Sequence, residues 1–278
     1  AVLAPAAAGF GYRTRGSDLK AGAIAVPERT HVRAAHIGVF ANTGVAEVTV
    51  VRRPVVGVLS TGDELVEAGA PLGPGQIRDS NRPGLLALLR EDGFEPVDLG
   101  RAPDDHDAIR AAIVGGVDRC DALITSGGVS MGDVDLARVV LDEIGEMRWM
   151  KLAIKPAKPF AFGTVSRVGG SVDVPVFGVP GNPVSSIVSY ELLARPALRK
   201  MAGFEDLQRP KVVAVAEVDL TRKPDGKVHF SRVVCRYRDD GNFSVRPSGG
   251  QDSHQLAAMA AADGLAVLPD GDGVRAGE

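Results

Sequence analysis

Apolar residues recur along the chain in two alternating rhythms. The run Pro54–Leu59 (PVVGVL) is continuous and Val-rich after its opening proline, as in a strand buried on both faces, and it breaks at Ser60, Thr61 and Gly62. A proline is tolerated as a strand's first residue. Asp79, Ser80 and Asn81 then offer N-caps, Pro83 suits a first helical turn, Leu85, Leu86, Leu88 and Leu89 form an apolar stripe, and Gly93 closes it. The strand, loop, helix unit then repeats. Pro96–Leu99 reads as a strand, Asp104 as the cap of a helix through Ala108, Ile109, Ala112 and Ile113, and Asp121–Thr125 as a strand. Val134–Ile144 reads as an amphipathic helix with Leu136, Val139, Val140 and Ile144 on one face. Strands at Met147–Ile154, Phe160–Val165 and Val174–Val179 follow. PGNPVSS then opens a long helix to about Met201, which Pro196 is expected to bend or end early.

Strands alternating with helices predict an α/β fold, with a central three-layer α/β/α domain and a mostly parallel sheet over 54–205. From Lys211 onward the helical rhythm disappears. VVAVAEVDL, KVHFSRVV, NFSVRPS and GLAVLPD alternate like antiparallel strands, so 206–278 is expected to be a small β domain. Residues 1–53 hold two strand-like stretches, Ala23–Val26 and Glu47–Val51, joined by a short helix around His36–Thr43. They are expected to form a partial, β-rich N-terminal segment, too short for a complete domain.

Composition narrows the function. The chain has 278 residues, 45% hydrophobic and 24% charged, the balance of a globular protein. A formal net charge of -3 argues against a nucleic-acid partner, which needs a broad basic face, so any anionic ligand must be met by local charge. Cys120 and Cys235 have no CxxC spacing and no zinc-site neighbours, and are expected to be reduced thiols. No apolar run approaches the ~20 residues of a membrane span, and the opening AVLAPAAAGF lacks a basic n-region. The expectation is a cytoplasmic protein with no membrane partner, cut at both ends, since it starts at Ala1 and stops in GDGVRAGE.

In open α/β sheets, ligands gather outside the carboxyl ends of the strands. Three loops qualify: Ser60-Thr61-Gly62-Asp63-Glu64, SGGVSMGDVD from Ser126 to Asp135, and Pro180-Gly181-Asn182-Pro183-Val184-Ser185. Gly127 and Gly128 let backbone approach an anion without an intervening Cβ, and Ser126 and Ser130 add hydroxyl donors; a tight turn alone would also use two glycines. The carboxylates of Asp63, Glu64, Asp104, Asp133 and Asp135 suit such a pocket if a divalent cation is held there, although Asp104 and Asp133 equally suit helix capping. Lys151, Lys155 and Lys158 lie in KLAIKPAKP. In one strand Lys151 and Lys155 would share a face roughly 13 Å apart, at about 3.3 Å per residue, and so would engage different parts of an extended anion. A solvated strand is the alternative, although Trp149, Leu152 and Ile154 favour a half-buried setting.

STGDEL, SGGVSMGDVD, KLAIKPAKPFAFG and PGNPVSS, in this order and at these separations, resemble the molybdopterin molybdenumtransferases, the MoeA and gephyrin E-domain family, over nearly the whole chain. The resemblance implies that adenylylated molybdopterin and molybdate bind with a divalent cation, usually Mg2+, and that molybdenum is inserted as the phosphoanhydride is cleaved to release AMP. It implies metal or catalytic roles for Glu64, Asp104 and Asp135, anion-binding roles for Lys151 and Lys155, and molybdate contacts from Ser130, Lys158 with Pro159, and Ser185. FSRVV and PSGGQDSHQL look like the segments that supply an arginine and a serine, here Arg232 and Ser253. Two positions depart from the family pattern: Asp252 stands where glycine is common, and Ala157 replaces a glycine, so a positive φ there would carry strain. The resemblance further implies a homodimer with Arg232 and Ser253 acting in trans. It also implies an N-terminal segment with an Asp-Gly-Tyr-Ala type motif, which is not found here, so the chain is expected to lack that segment.

Two rival readings stay open. A molybdopterin adenylyltransferase shares the central fold but usually carries a GGTG loop in place of SGGVS. A non-catalytic, gephyrin-like scaffold would need an exposed groove and would leave the carboxylates and lysines idle.

Overall fold

The computed structural model of the chain describes Pro5 and residues 7–128, 135–170 and 172–278. Two compact units emerge, Ala1–Val51 and Arg52–Glu278. In the first, the regular element among the described residues is helix α1 (Ala34–Thr43), none of whose residues is buried. The strands expected at Ala23–Val26 and Glu47–Val51 do not form. β-Branched residues favour a strand only where a neighbour takes up the backbone N–H and C=O groups, and here Val48, Val50 and Val51 stay exposed and unpaired in any sheet. The segment expected to be β-rich is therefore a helix between irregular stretches.

The second unit follows the alternating rhythm of its sequence. In chain order it comprises β1 (Val55–Thr61), β2 (Leu65–Val66), β3 (Ile77–Arg78), α2 (Asn81–Glu91), β4 (Glu95–Ala102), α3 (His106–Arg119), β5 (Ala122–Ser126), α4 (Leu136–Ile144), β6 (Gly145–Lys151), β7 (Ile154–Lys155), β8 (Pro159–Ser166) and β9 (Asp173–Val179). A six-stranded sheet has the order β4-β1-β5-β9-β8-β6. β4, β1, β5 and β9 are parallel, while β8 and β6 close one edge antiparallel. Val56, Val58 and Leu59 of β1 are all fully buried because helices cover both faces. One face packs Val56, Val58 and Phe177 against Leu85 and Leu89 of α2 and against Tyr190 and Leu198. The other packs Leu59, Leu123 and Val176 against Ile109 and Ile113 of α3 and Val140 and Leu141 of α4. Each fully buried Leu or Ile contributes about 1.5–3 kcal/mol, so these two layers hold the sheet rigid beneath its strand-end loops.

The helix after PGNPVSS reaches Met201 without ending at Pro196. α5 (Pro183–Ser189) passes through a π turn, Tyr190–Ala194, into α6 (Arg195–Met201). Proline has no N–H for the preceding turn and its ring crowds the carbonyl there; the wider turn relieves both. The Tyr190 hydroxyl in this turn donates to Asp92 at 2.7 Å, and Asp92 also accepts from Arg195 Nε at 2.9 Å.

The C-terminal part is β, as its alternation predicts: β10 (Ala214–Ala216), β11 (Leu220–Thr221), β12 (Val228–Tyr237), β13 (Phe243–Pro247), α7 (Leu256–Ala260), β14 (Gly264–Leu268) and β15 (Gly273–Val274). Its main sheet has the order β10-β13-β12-β14, antiparallel except that β10 runs parallel to β13. One connection determines the site. The strand expected at Met147–Ile154 does not run through: Leu152 N–H donates to Lys158 O at 2.7 Å, and Ile154–Lys155 leaves the large sheet to pair with Val228–His229 of β12. Lys151 and Lys155 therefore belong to different sheets. Among the described residues no helix is long and apolar enough to cross a membrane.

Candidate functional site

β1, β5 and β9 end side by side, with Ser60 level with Ser126 and Ser126 level with Val179. The loops at Gly62, Gly127 and Pro180 consequently open on one edge. Ser60 and Thr61 are buried, and the Ser60 hydroxyl has no hydrogen-bond partner among the described residues. Gly127 and Gly128 turn at φ 90° and 74° against Thr61. A Cβ on Gly127 would lie 2.9 Å from Thr61 O, and one on Gly128 would lie 2.5 Å from Ala137 Cβ and 3.2 Å from Asp135 Oδ1. Only glycine fits both the left-handed backbone and the space. The Glu64 carboxylate folds back over Gly62, and Arg101 Nη1 donates to Gly62 O at 3.1 Å.

Asp104 takes a part that its sequence context did not suggest. Asp105, not Asp104, is the N-cap of α3, its carboxylate accepting from the N–H of the third helical residue, Ala108, at 2.9 Å. Asp104 is left to exchange hydrogen bonds with Asp63: each carboxylate accepts from the other's backbone N–H, at 3.2 and 3.1 Å. The first loop is thereby tied to the end of β4. Asn81, read from sequence only as a possible cap, donates from Nδ2 to Ser126 Oγ and to Gly181 O, both at 2.8 Å, and so joins the second and third loops. An amide next to two other cap candidates, Asp79 and Ser80, was the available signal. Ser130 and Asp133 lie outside the described residues.

A divalent cation can be tested against these donors. Among the described residues no three His, Cys, Asp or Glu side chains converge. Mg2+ does not require such a cage, since it keeps several waters and takes one or two carboxylates plus substrate phosphates. Asp135, beside the Gly127–Gly128 turn, and Glu64, over Gly62, fit that pattern.

A second cluster lies where β7 meets β12. A cleft of about 460 Å³ is lined by Lys155, Lys158, Pro159 and Ser185 from the α/β part, and by Lys227, Asp252, Ser253 and His254 from the β part. Ser253 O accepts from Val184 N–H at 3.1 Å, which fixes the β segment against α5. The Lys155–Pro156 bond is cis, and Ala157 sits buried at φ 73°, a positive angle that carries strain for a residue other than glycine. Pro180, Gly181 and Asn182 run between the two clusters, from the Asn81 contact to the start of α5.

Two of the expected anion contacts are located elsewhere. Lys151 ends β6 opposite Pro159 and does not line the cleft. Arg232 is fully buried: its Nη2 donates to Gly250 O at 2.6 Å and Asp252 O at 3.2 Å, while Nε and Nη1 have no partner among the described residues. Burial pushes against its charge. In this arrangement Arg232 supports the 250–252 turn from behind, where Gln251 also bonds its backbone N–H and C=O. Sequence reasoning missed Lys227 and His254 as cleft residues.

This geometry has counterparts in known proteins. Residues 57–200 match the family described as "Probable molybdopterin binding domain". The chain belongs to that family. Beyond this molybdopterin-binding domain, residues 214–278 match the "MoeA C-terminal region (domain IV)". The chain is 37% identical to a molybdopterin molybdenumtransferase of Haemophilus influenzae, over 96% of this chain and 65% of the relative. It is 32% identical to one of Bacillus subtilis, over 92% of this chain and 58% of the relative. A solved structure of a molybdopterin biosynthesis moea protein from Pyrococcus horikosii superposes with a TM-score of 0.72 at 30% identity, covering 91% of this chain and 60% of that one. The molybdopterin-binding domain and its β partner thus span less than two thirds of the length of these relatives.

Proposed function

We propose that this chain carries the central and C-terminal parts of a molybdopterin molybdenumtransferase, which inserts molybdate into adenylylated molybdopterin and releases AMP. The supporting observation is the cleft in which Lys155, Lys158 and Ser185 of the α/β part meet Ser253 of the β part. Cations and hydroxyls at fixed positions suit a tetrahedral dianion. The substrate's phosphoanhydride would lie along the Gly127–Gly128 turn, where backbone can approach phosphate closely. Asp135 and Glu64 would hold a divalent cation, Mg2+ in our reading, which when bound neutralises phosphate charge. Lys155 and Lys158 hold anionic oxygens, and the hydroxyls of Ser185 and Ser253 orient them. Asp104 keeps the Asp63 loop in place rather than contacting the ligand. The match of 214–278 to the MoeA C-terminal region favours this reading over an adenylyltransferase. Lys151 and Arg232, neither of which lines this cleft, remain proposed anion contacts. We place the enzyme in the cytoplasm as a homodimer.

The test supplies adenylylated molybdopterin with and without molybdate and measures AMP. Release that rises with molybdate, and that Asp135→Asn abolishes without loss of fold, supports the reading. Release that ignores molybdate, or AMP transfer from ATP to free molybdopterin, would overturn it.

A further inference from the structure

Lys227 lies outside every motif discussed above, yet it lines the same cleft as Lys155, Lys158 and Ser253. The β7–β12 pairing brings it there: Val228 lies level with Ile154 and donates its N–H to Ala153 O at 2.9 Å, so the residue before it stands at the mouth beside the lysine turn. Unlike the exposed Lys155 and Lys158, Lys227 is held in place. Its Nζ donates to Asp225 Oδ2 at 2.7 Å, and its side chain is 27% exposed.

Asp225 is fixed in turn. Its carboxylate accepts from Arg222 Nη2 at 2.9 Å and faces His229 Nε2 at 3.2 Å, and its ionised form is favoured so strongly by Lys227 and then by His229 that its pKa falls to about 2. Asp270 accepts from the backbone N–H of Asp225 and Gly226 at 3.0 and 3.1 Å and from Arg222 Nη2 at 2.7 Å. Arg222, with a side chain 1% exposed, also donates to Lys227 O at 2.8 Å. The carboxylate that accepts from Lys227 and the Lys227 carbonyl are thus both tied to the buried Arg222.

An ammonium carries three donors, and Asp225 takes one of them. The Asp225 carboxylate is itself shared by Arg222, Lys227 and the His229 ring. We propose that Lys227 is a third cation of the cleft, pre-positioned by the Arg222–Asp225–Asp270 clasp to receive a doubly charged oxyanion: molybdate or the phosphoryl group of the pterin ligand. Because its side chain is already ordered, binding loses less conformational freedom there than at the two exposed lysines. The proposal rests on the reading that the cleft is the oxyanion site, but it assigns a contact that the lysine motif does not contain.

The test titrates the purified chain by calorimetry with molybdate, with adenylylated molybdopterin and with pyrophosphate, in wild type, Lys227→Met and Lys227→Arg, each checked for fold by thermal unfolding. Lys227→Met keeps the apolar stem and should lower affinity about ten- to hundredfold for whichever oxyanion wild type binds, as expected for losing a charged hydrogen bond, with Lys227→Arg restoring most of it. A loss confined to molybdate or to the pterin identifies the source of the oxyanion. Wild-type affinity of a folded Lys227→Met for all three overturns the proposal and leaves the transferase reading intact. Binding of pyrophosphate alone, weakened by Lys227→Met, upholds the contact and counts against the transferase. Failure of wild type to bind any of the three overturns both.

Discussion

Thr61, Gly62, Ser126, Gly127 and Gly128 come together because β1 and β5 are adjacent parallel strands in register, so one pattern repeated along the chain delivers them to one edge. Lys155 and Ser253 meet for a different reason. β7 crosses from the large sheet to pair with β12, and the 250–253 turn docks on α5 through Ser253 O. The first cluster is buried, glycine-dependent and knitted by backbone hydrogen bonds; in the second, exposed cations surround open space. A side chain added at a loop glycine should therefore damage the fold, while replacing an exposed lysine of the cleft should damage binding and leave the fold alone.

The largest effect is expected from Gly128→Ala. The new Cβ meets Ala137 Cβ at 2.5 Å on a backbone at φ 74°. Left-handed strain and overpacking together should cost about 2–5 kcal/mol, and displacement of the loop should lower AMP release about a hundredfold. Urea unfolding and the AMP assay measure both. A variant as stable as wild type would break the contrast between the clusters. Next comes Ala157, the cleft's one conformationally strained position. Ala157→Val should lose about 2–3 kcal/mol, since a β-branched side chain tolerates φ 73° poorly and the site is buried. Ala157→Gly should stay within about 1 kcal/mol of wild type, because relief of about 1–2 kcal/mol of strain offsets the lost methyl and the freer unfolded chain. Equal unfolding curves for the two variants would show that φ is not what constrains the turn.

Lys155→Ala sharpens the comparison from the other side. Lys155 is exposed and makes no ion pair among the described residues, so its removal should change stability by no more than about 0.5 kcal/mol. Oxyanion affinity should fall about tenfold, which calorimetry reads directly. Loss of fold together with loss of affinity would mean that the lysine turn is structural.

What could be read from sequence follows the same division. Strand-end loops are local: an apolar run, its break, and a capped helix name Ser60, Gly127 and Asn182 without knowledge of the fold. Contacts created by tertiary pairing leave no such trace. Lys227 reads as an ordinary charge next to a turn until β12 is set against β7, and Arg232, in a strand that alternates normally, gives no hint that its guanidinium turns inward to Gly250 O. The cap of α3 moved from Asp104 to Asp105 because two adjacent aspartates compete for it, and the Asp63 loop decides which one is left over. The β reading of Ala23–Val26 and Glu47–Val51 failed because propensity names candidates for pairing and cannot supply a partner.

The smallest expected effect is a dependence on pH confined to the loop side. His106, in the first turn of α3 after Asp104 and Asp105, places Nδ1 3.1 Å from Asp107 and Nε2 2.8 Å from Glu143 of α4, the helix that follows Asp135. These hydrogen bonds, Asp107's first and Glu143's second, raise its pKa above the ordinary value of 6.5. A group whose pKa is raised by folding binds its proton more tightly in the folded chain. Its contribution is therefore fully present below the unfolded value and fades as pH rises through the folded one. The α3–α4 contact should loosen accordingly toward alkaline pH, and His106→Gln should remove that slope. Thermal unfolding of wild type and His106→Gln between about pH 5.5 and pH 8.5 tests this in the range where histidine titrates. The two should differ most at the acid end and converge at the alkaline end. A constant difference would mean that the ring acts by packing alone, and the reverse trend would mean that it is neutral in the fold.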